Sequence, residues 1–502
     1  MIFISYPEDF MRLYQLIKSE EILALKKPND FEIGKPISDS RKLSENDIFF
    51  CEDGFHESGY SYVGRAIAKG ASCIVTARGG SYRIGKIPIP VLEVADVRKS
   101  YALAWSRFEG CPEKDLRLIA VTGTNGKTSV SSFLCELLRL SGESAGLIGT
   151  VEYSDGLHAY ASAYTTPPPD VLYPLLSEMK KAGNRFVIME ASSHAIVQQR
   201  LHGLSFETAI FTGLSRDHLD YHKTWEAYRD AKASLFKQAK NALLNADDVE
   251  APYMGYAATG DVYYYGKRCE SDFRILMPTA ERDHIRYTLC MENKNIPVQI
   301  PVTGKFHIHN TAAAIAAASL AGISAETLQN QLSLLKAPCG RLEKLPLDTD
   351  FSIYIDYAHS PDALANALLS LRPFTKKLTV LFGAGGERDR GKRPEMGAIA
   401  EEFADFVILT SDNPRKEAPL SIINEIQSGM NRTNHICMED RTSAIAYAIE
   451  NASPGEIILL AGKGHETYAV DANGIHDFSE KEIVKRILID KRKGNDNVSQ
   501  SE

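Results

Sequence analysis

The chain predicts an α/β fold of three domains built around a P-loop-type parallel sheet, and three observations point there. In Leu118-Ile119-Ala120-Val121-Thr122-Gly123-Thr124-Asn125-Gly126-Lys127-Thr128 a β-branched apolar run enters a Gly-rich turn, and a helical pattern leaves it. Short apolar runs alternate with helical segments along the whole chain, which predicts mostly parallel sheets with their chemistry at the carboxyl ends of the strands. The length of 502 residues suggests about three domains.

The elements follow in three blocks. Residues 1–105 form the first, with strands expected at 47–51, 72–75 and 91–94 and a helix at 62–69. Residues 106–341 form the second, with the phosphate loop, a helix over 129–140, and strands at 186–190, 208–212 and 242–245. Three consecutive tyrosines at 263–265 read as strand, since basic residues do not flank them on both sides as a stacking platform would need. Residues 342–502 form the third, with strands at 353–356, 378–382, 406–410 and 457–460. The polar tail from 491 is expected to be disordered.

Composition narrows the function. An apolar share of 44% and a charged share of 24% are those of a soluble globular protein. A net charge of −8 argues against nonspecific nucleic-acid binding, because polyphosphate backbones select basic surfaces. Eight scattered cysteines without a C-x-x-C pair read as free thiols in a reducing compartment, neither a disulfide frame nor a zinc site. Met1 to Pro7 lack the basic start of a secretory leader, and no run of about 18 apolar residues exists to span a membrane. A cytoplasmic protein is expected.

The phosphate loop carries the first chemistry. Glycines let backbone N–H groups converge on phosphate oxygens, and the helix N-terminus adds partial positive charge. Lys127 is placed to reach the β/γ-phosphates and the Thr128 hydroxyl to sit on Mg²⁺. The spacing departs from the Walker pattern, because Val121 stands where its first glycine would be. Glu190 ends an apolar strand, where a carboxylate can hold Mg²⁺ facing the loop. Arg216-Asp217-His218-Leu219-Asp220-Tyr221-His222 packs charge after another strand and reads as a site, although a charged loop alone is usually just solvated. Lys232, alone in a helical stretch, would ordinarily be a solvent-facing charge.

These motifs, in their order and spacing, resemble the Mur ligases. The matching stretches are Gly123 to Thr128, Glu190-Ala191-Ser192-Ser193-His194, Arg216 to His222, Gly340-Arg341-Leu342-Glu343, Asp356-Tyr357-Ala358-His359-Ser360-Pro361-Asp362 and Ala461-Gly462-Lys463-Gly464-His465-Glu466. The resemblance runs nearly end to end. It implies a UDP-substrate-binding domain (1–105), a central ATPase domain (106–341) and a C-terminal Rossmann-like domain that brings the incoming amino acid (342–502).

By that resemblance ATP converts a D-glutamyl carboxylate into an acyl phosphate, which an amine attacks. Charge neutralisation and positioning would supply much of the catalysis. The resemblance implies that Gly123, Thr124, Asn125, Gly126, Lys127, Thr128 and Ser129 hold ATP with Asn310, Arg341, Asp356 and His359. Singly, those last four could be helix and strand caps. Thr128 and Glu190 would hold one Mg²⁺, and His218 a second metal ion. Lys232 matches a carbamylated lysine, an anionic oxygen ligand suited to such a site. Lys127, His218 and Lys232 are thus the catalytic candidates.

The resemblance also assigns the substrates. Asp39-Ser40-Arg41 looks like a UDP signature, with Ser40 on the phosphate side and Ser38 nearby. Phe55, His56 and Glu57 lie in a uridine-facing loop that carries Ser58-Gly59 where Asp-Gly is more usual. Thr165, Thr166, Ser192, Gln198 and Arg200 match positions that hold the peptide end. Pro167-Pro168-Pro169 is unusually stiff, and Gly213 replaces a usual asparagine.

Selectivity belongs to the third domain. Asp412-Asn413-Pro414 is explained by a turn before proline, but Arg415 is not. Its planar fork suits a carboxylate, and diaminopimelate differs from lysine by one distal carboxylate. Arg388 is expected to take another carboxylate, and Gly462 and Glu466 the distal ammonium. The expected enzyme is a monomeric, diaminopimelate-adding ligase of cytoplasmic peptidoglycan precursor synthesis, acting on UDP-MurNAc-L-Ala-D-Glu with meso-diaminopimelate, ATP and Mg²⁺. A lysine-adding Mur ligase and a nucleotide-binding paralogue without ligase activity remain alternatives. A simple P-loop hydrolase is disfavoured by the missing guanine motif. A folylpolyglutamate synthase would not explain the N-terminal block or Asp412 to Arg415.

Overall fold

A computed structural model describes residues 10–26, 30–54, 57–291 and 294–499. The reading of Met1 to Pro7 therefore lies outside the described residues, as do Phe55 and His56. Three sheets organise the chain. The largest has eleven strands, and the seven from Ala145–Ile148 to Phe273–Ala280 run parallel through its middle. Arg117–Thr122, the strand that feeds the phosphate loop, lies between Phe186–Glu190 and Phe206–Phe211. All three are almost wholly buried, as strands covered on both faces must be.

The expectation of mostly parallel sheets fails at both edges of this sheet. Glu152–Ser154 and Ala159–Ala161 form an antiparallel edge, and Phe273–Ala280, Ile285–Met291 and Lys294–Ile300 form an antiparallel meander. Burial alternates with period two along Ile285–Met291 and Lys294–Ile300. Such strands need only short turns between them, and no crossover helix signals their presence.

Two helices aim the central site. Lys127–Leu140 starts at the loop itself, with Gly126 at its N-cap in the left-handed region, two residues before the expected start. It packs against Phe306–Leu320, whose run of fully buried alanines from Ala312 to Ala318 (broken by Ile315) allows close approach. The stiff proline run starts another helix: Pro169 is the first residue of Pro169–Lys181, a position that needs no amide donor.

The first sheet has five strands, parallel except for Ile22–Lys26. The third has six: Glu343–Lys344, Ser352–Asp356, Ile457–Ala461, Leu378–Phe382, Phe406–Leu409 and His435–Cys437, in that spatial order. Only the first pair is antiparallel. The last helix, Glu480–Ser499, runs on through the tail from 491. Ile483 and Val484 anchor that helix in the core, and Ile487 and Leu488 pack on it. The Lys-Arg-Lys stretch then continues a helix that already exists, at little cost in propensity. All eight cysteines are free. No helix among the described residues is long and apolar enough to cross a membrane.

Candidate active site

The phosphate loop is shaped by two glycines that cannot be replaced without collision. A Cβ on Gly123 (φ 150°) would lie 1.9 Å from Thr212 Oγ1, and one on Gly126 (φ 88°) 2.7 Å from Asn310 Oδ1. The Gly123 carbonyl accepts from two ammonium groups: Lys127 Nζ at 2.9 Å and Lys232 Nζ at 2.8 Å. Lys127 Nζ also donates to Thr124 O. Burial lowers the pKa of both lysines, and for Lys232 the neighbouring Lys127 charge lowers it further. Lys232 is 1% exposed, so it is no solvent-facing helical charge. It lies beneath the loop, 4.9 Å from the Tyr228 ring.

Thr128 and Glu190 meet as expected, with Thr128 Oγ1 donating to Glu190 Oε2 at 3.1 Å. Thr150 completes the carboxylate's shell, its N–H on Oε1 at 2.8 Å and its hydroxyl on Oε2 at 2.9 Å. Arg341, the last residue of the second block, reaches back to place Nη2 2.9 Å from Thr128 Oγ1. Its Nε is buried with no hydrogen-bond partner among the described residues, a donor aimed where an anion would lie. Oxygen ligands, a cation beside them and an orphaned donor suit a Mg²⁺–phosphate pair.

His218 stands at the N-cap of the short helix Leu219–His222 with φ 54°, beside Asp217 (Nε2 to Oδ2, 3.5 Å) and His194 (ring centroids 4.9 Å apart). Burial, aided by the nearby lysines and His194, pushes its pKa down to about 3 against the pull of Asp217. A neutral imidazole there is a competent metal ligand. No three His, Cys, Asp or Glu side chains converge into a metal cluster among the described residues.

Asp356 is buried and accepts from the Leu342 N–H (2.6 Å) and the Ala358 N–H (2.8 Å), so it fixes the backbone that carries Arg341. Burial raises its pKa to about 6, opposed by Arg341 and by those two N–H groups. His359 Nδ1–H donates to Tyr357 O at 2.8 Å, and the His359 carbonyl takes Lys392 Nζ at 2.8 Å.

The selectivity candidates gather at the carboxyl ends of the third sheet. Arg415 (φ 53°) donates Nη1 to Gly386 O at 2.7 Å, which lays its guanidinium over the loop that also bears Arg388. Arg388 is exposed. Asn413 bridges two loops, giving Nδ2 to Glu466 Oε2 (2.8 Å) and taking Lys463 Nζ on Oδ1 (2.9 Å). Gly462 faces Asp412 so closely that a Cβ would sit 2.5 Å from its Oδ2. Pro414 packs under Gly386, where an added Cβ would meet its carbonyl at 1.9 Å.

The peptide-end candidates also converge. Thr166 Oγ1 donates to Glu190 O (2.7 Å), the Ser192 N–H donates to Thr166 Oγ1 (3.0 Å), and Arg200 joins Thr166 O (2.6 Å) to Gln198 Oε1. Thr165 meets Thr150 hydroxyl to hydroxyl at 3.0 Å. Ser40 is buried, Ser38 half-buried and Glu57 exposed. Lys42, two residues beyond Ser40, pairs with Asp170 at 2.7 Å and so ties the first sheet's loop to the peptide side.

Comparison with known proteins decides the family. Residues 121–318 match the Mur ligase middle domain, and residues 340–464 the Mur ligase glutamate ligase domain. The chain belongs to the Mur ligase family. It is 38% identical over 459 residues to the UDP-N-acetylmuramoyl-L-alanyl-D-glutamate–2,6-diaminopimelate ligase of Geobacillus kaustophilus, covering 89% of this chain and 93% of that one. It is 38% identical over 490 residues to the ligase of the same name from Caldanaerobacter subterraneus subsp. tengcongensis, covering 96% and 100%. A solved structure of a ligase of that name superposes with a TM-score of 0.66 at 32% identity, over 92% of this chain and 96% of that one.

Around these loops of the Mur ligase lie further polar side chains that the sequence did not single out. Thr150, Lys392, Lys463, Arg393 and Arg441 sit among ordinary polar residues in the sequence, and only tertiary contact gives them partners. Lys463 is fully buried between Asn413, Glu466 and the Tyr468 carbonyl. A lysine in a Gly-Lys-Gly loop after an apolar strand was the available signal. Glu466 consequently shares its charge with Lys463 through Oε2 (3.3 Å).

Proposed function

We propose that this Mur ligase joins meso-diaminopimelate to UDP-MurNAc-L-Ala-D-Glu, using ATP and Mg²⁺, in cytoplasmic peptidoglycan precursor synthesis. Residues 1–105 bind the UDP end through Ser38, Ser40 and the loop 55–57, residues 106–341 bind ATP, and residues 342–502 bring the amino acid. The observation that carries the choice of amino acid is Arg415, pinned against Gly386 at the rim of the Asn413–Glu466–Lys463 cluster.

The residues divide the work. Lys127, freed from the loop carbonyls it now holds, neutralises the phosphoryl group in transfer. Arg341 holds the same phosphate from the boundary with the third domain, where Asp356 of that domain fixes the backbone beside it. Thr128 and Glu190 hold one Mg²⁺, and His218 with Lys232 a second. Bound there, the metal ions would screen the charge of ATP and of the substrate carboxylate. Two ammonium groups on one buried carbonyl repel, and that favours a neutral Lys232 amine. A neutral amine adds carbon dioxide at Nζ, forming the N–C bond and releasing one proton to solvent, to give an anionic carbamate that would exchange the repulsion for attraction to Lys127 and to metal.

Thr166, Ser192, Gln198 and Arg200 orient the peptide end, and Arg415 and Arg388 take the carboxylates of the incoming amino acid. Phosphate release with UDP-MurNAc-L-Ala-D-Glu and ATP, compared for meso-diaminopimelate, L-lysine and no amino acid, tests this reading. Strong stimulation by diaminopimelate alone is expected. Stimulation by lysine would make it a lysine-adding ligase, and none by either would leave a nucleotide-binding paralogue.

A further inference from the structure

We infer that Arg441 is a positioning residue of the amino-acid pocket, acting through the backbone ends of the two strands that carry it. This rests on the reading of Asp412 to Arg415 and Gly462 to Glu466 as the amino-acid site. Those two loops leave strands Phe406–Leu409 and Ile457–Ala461, which are not neighbours, since Leu378–Phe382 lies between them. No ladder hydrogen bond can therefore fix one loop against the other. Arg441 does so from behind: Nη1 donates to Ser411 O at 3.1 Å and Nη2 to Ala461 O at 2.8 Å. Ser411 and Ala461 are the residues immediately before Asp412 and Gly462.

The guanidinium is itself held. Nε donates to Glu480 Oε1 at 2.9 Å, and Nη2 lies 2.8 Å from the same oxygen. Arg441 is 3% exposed and Glu480 2%. Each is the first residue of its helix, Arg441–Glu450 and Glu480–Ser499, so both backbones are anchored. A buried ion pair of this kind gives little net stability over apolar residues of the same volume. What it does give is a planar fork with fixed spacing, which lysine cannot reproduce. The spacing matters in front of it, where Gly462 and Asp412 approach so closely that a Cβ would leave 2.5 Å.

Steady-state kinetics on Arg441→Lys and Glu480→Gln, with melting temperatures, tests this. The KM for meso-diaminopimelate should rise by about tenfold or more in Arg441→Lys, and by less in Glu480→Gln, because small misplacement of binding groups is costly. The KM values for ATP and UDP-MurNAc-L-Ala-D-Glu, and the amount of acyl phosphate trapped by borohydride without amino acid, should stay within about twofold of wild type. Unchanged diaminopimelate KM in folded variants would overturn the positioning role. So would an equal loss in all three KM values and in trapped acyl phosphate, or failure of both variants to fold, since either outcome marks a stability element. A wild-type enzyme inactive with diaminopimelate would instead overturn the substrate reading, which the wild-type control reveals separately.

Discussion

Arg341 and Thr128 lie 213 positions apart in the chain yet share a hydrogen bond of 2.9 Å, so the far end of the second block folds back onto the loop at its start. The contact places a guanidinium beside the Thr128–Glu190 pair, with Nε unpaired among the described residues. Arg341→Ala should lower kcat/KM for ATP by on the order of a hundredfold while the melting temperature changes little. Arg341→Lys should not restore it, because a point charge cannot bridge hydroxyl and phosphate as the fork does. Near-normal turnover in the alanine variant would remove Arg341 from the ATP site.

Lys232 shares the Gly123 carbonyl with Lys127, and its pKa is driven well down by burial and by that neighbour. Labelled bicarbonate should give wild-type protein a carbamate carbon resonance that Lys232→Ala lacks. The variant should be nearly inactive and partly rescued by acetate or formate in the vacated oxygen site. An active alanine variant without the resonance in wild type would show a plain buried amine.

Arg415 sets the expected amino-acid preference. Arg415 is half-buried and a hydrogen bond from it to a carboxylate contributes about 1.5–3 kcal/mol. Diaminopimelate should exceed lysine in kcat/KM by at least about a hundredfold. Arg415→Ala should erase most of that margin by harming diaminopimelate, without creating a good lysine ligase, because Arg388 and the pocket shape remain. Equal use of lysine by wild type would refute the role of Arg415.

Glu417 predicts an acid-side effect on stability. Its bond to the fully buried Arg393, with the Glu387 N–H, lowers its pKa from 4.5 to about 2. A depressed carboxylate contributes stability above its unfolded value and loses it as pH falls towards its folded value. The melting temperature should therefore fall between about pH 5 and about pH 2, and fall less steeply in Glu417→Gln. An identical acid slope in the variant would assign the loss to other carboxylates.

Much of this was legible in the one-dimensional chain. The strand Arg117–Thr122, its glycines, Lys127 and Thr128 are contiguous, so local conformational rules alone specify a phosphate loop. Glu190 was visible because it ends an apolar strand, and parallel strands deliver their carboxyl ends to one edge. The antiparallel meander after Phe273 escaped, since nothing local says which strand a short turn returns to. Lys232 was ambiguous for the same reason: helical spacing places it on a face but does not say what covers that face.

The sequence by itself determined which chemical groups are present, and the tight turns that present the phosphate loop. Tertiary structure alone decided that Lys232 is buried near Lys127, that Arg341 joins Thr128, and that Arg441 bonds carbonyls at the ends of two strands with a third between them. Local rules reach only a few residues along the chain, whereas burial, charge repulsion and loop spacing depend on neighbours that packing brings together from distant parts of it.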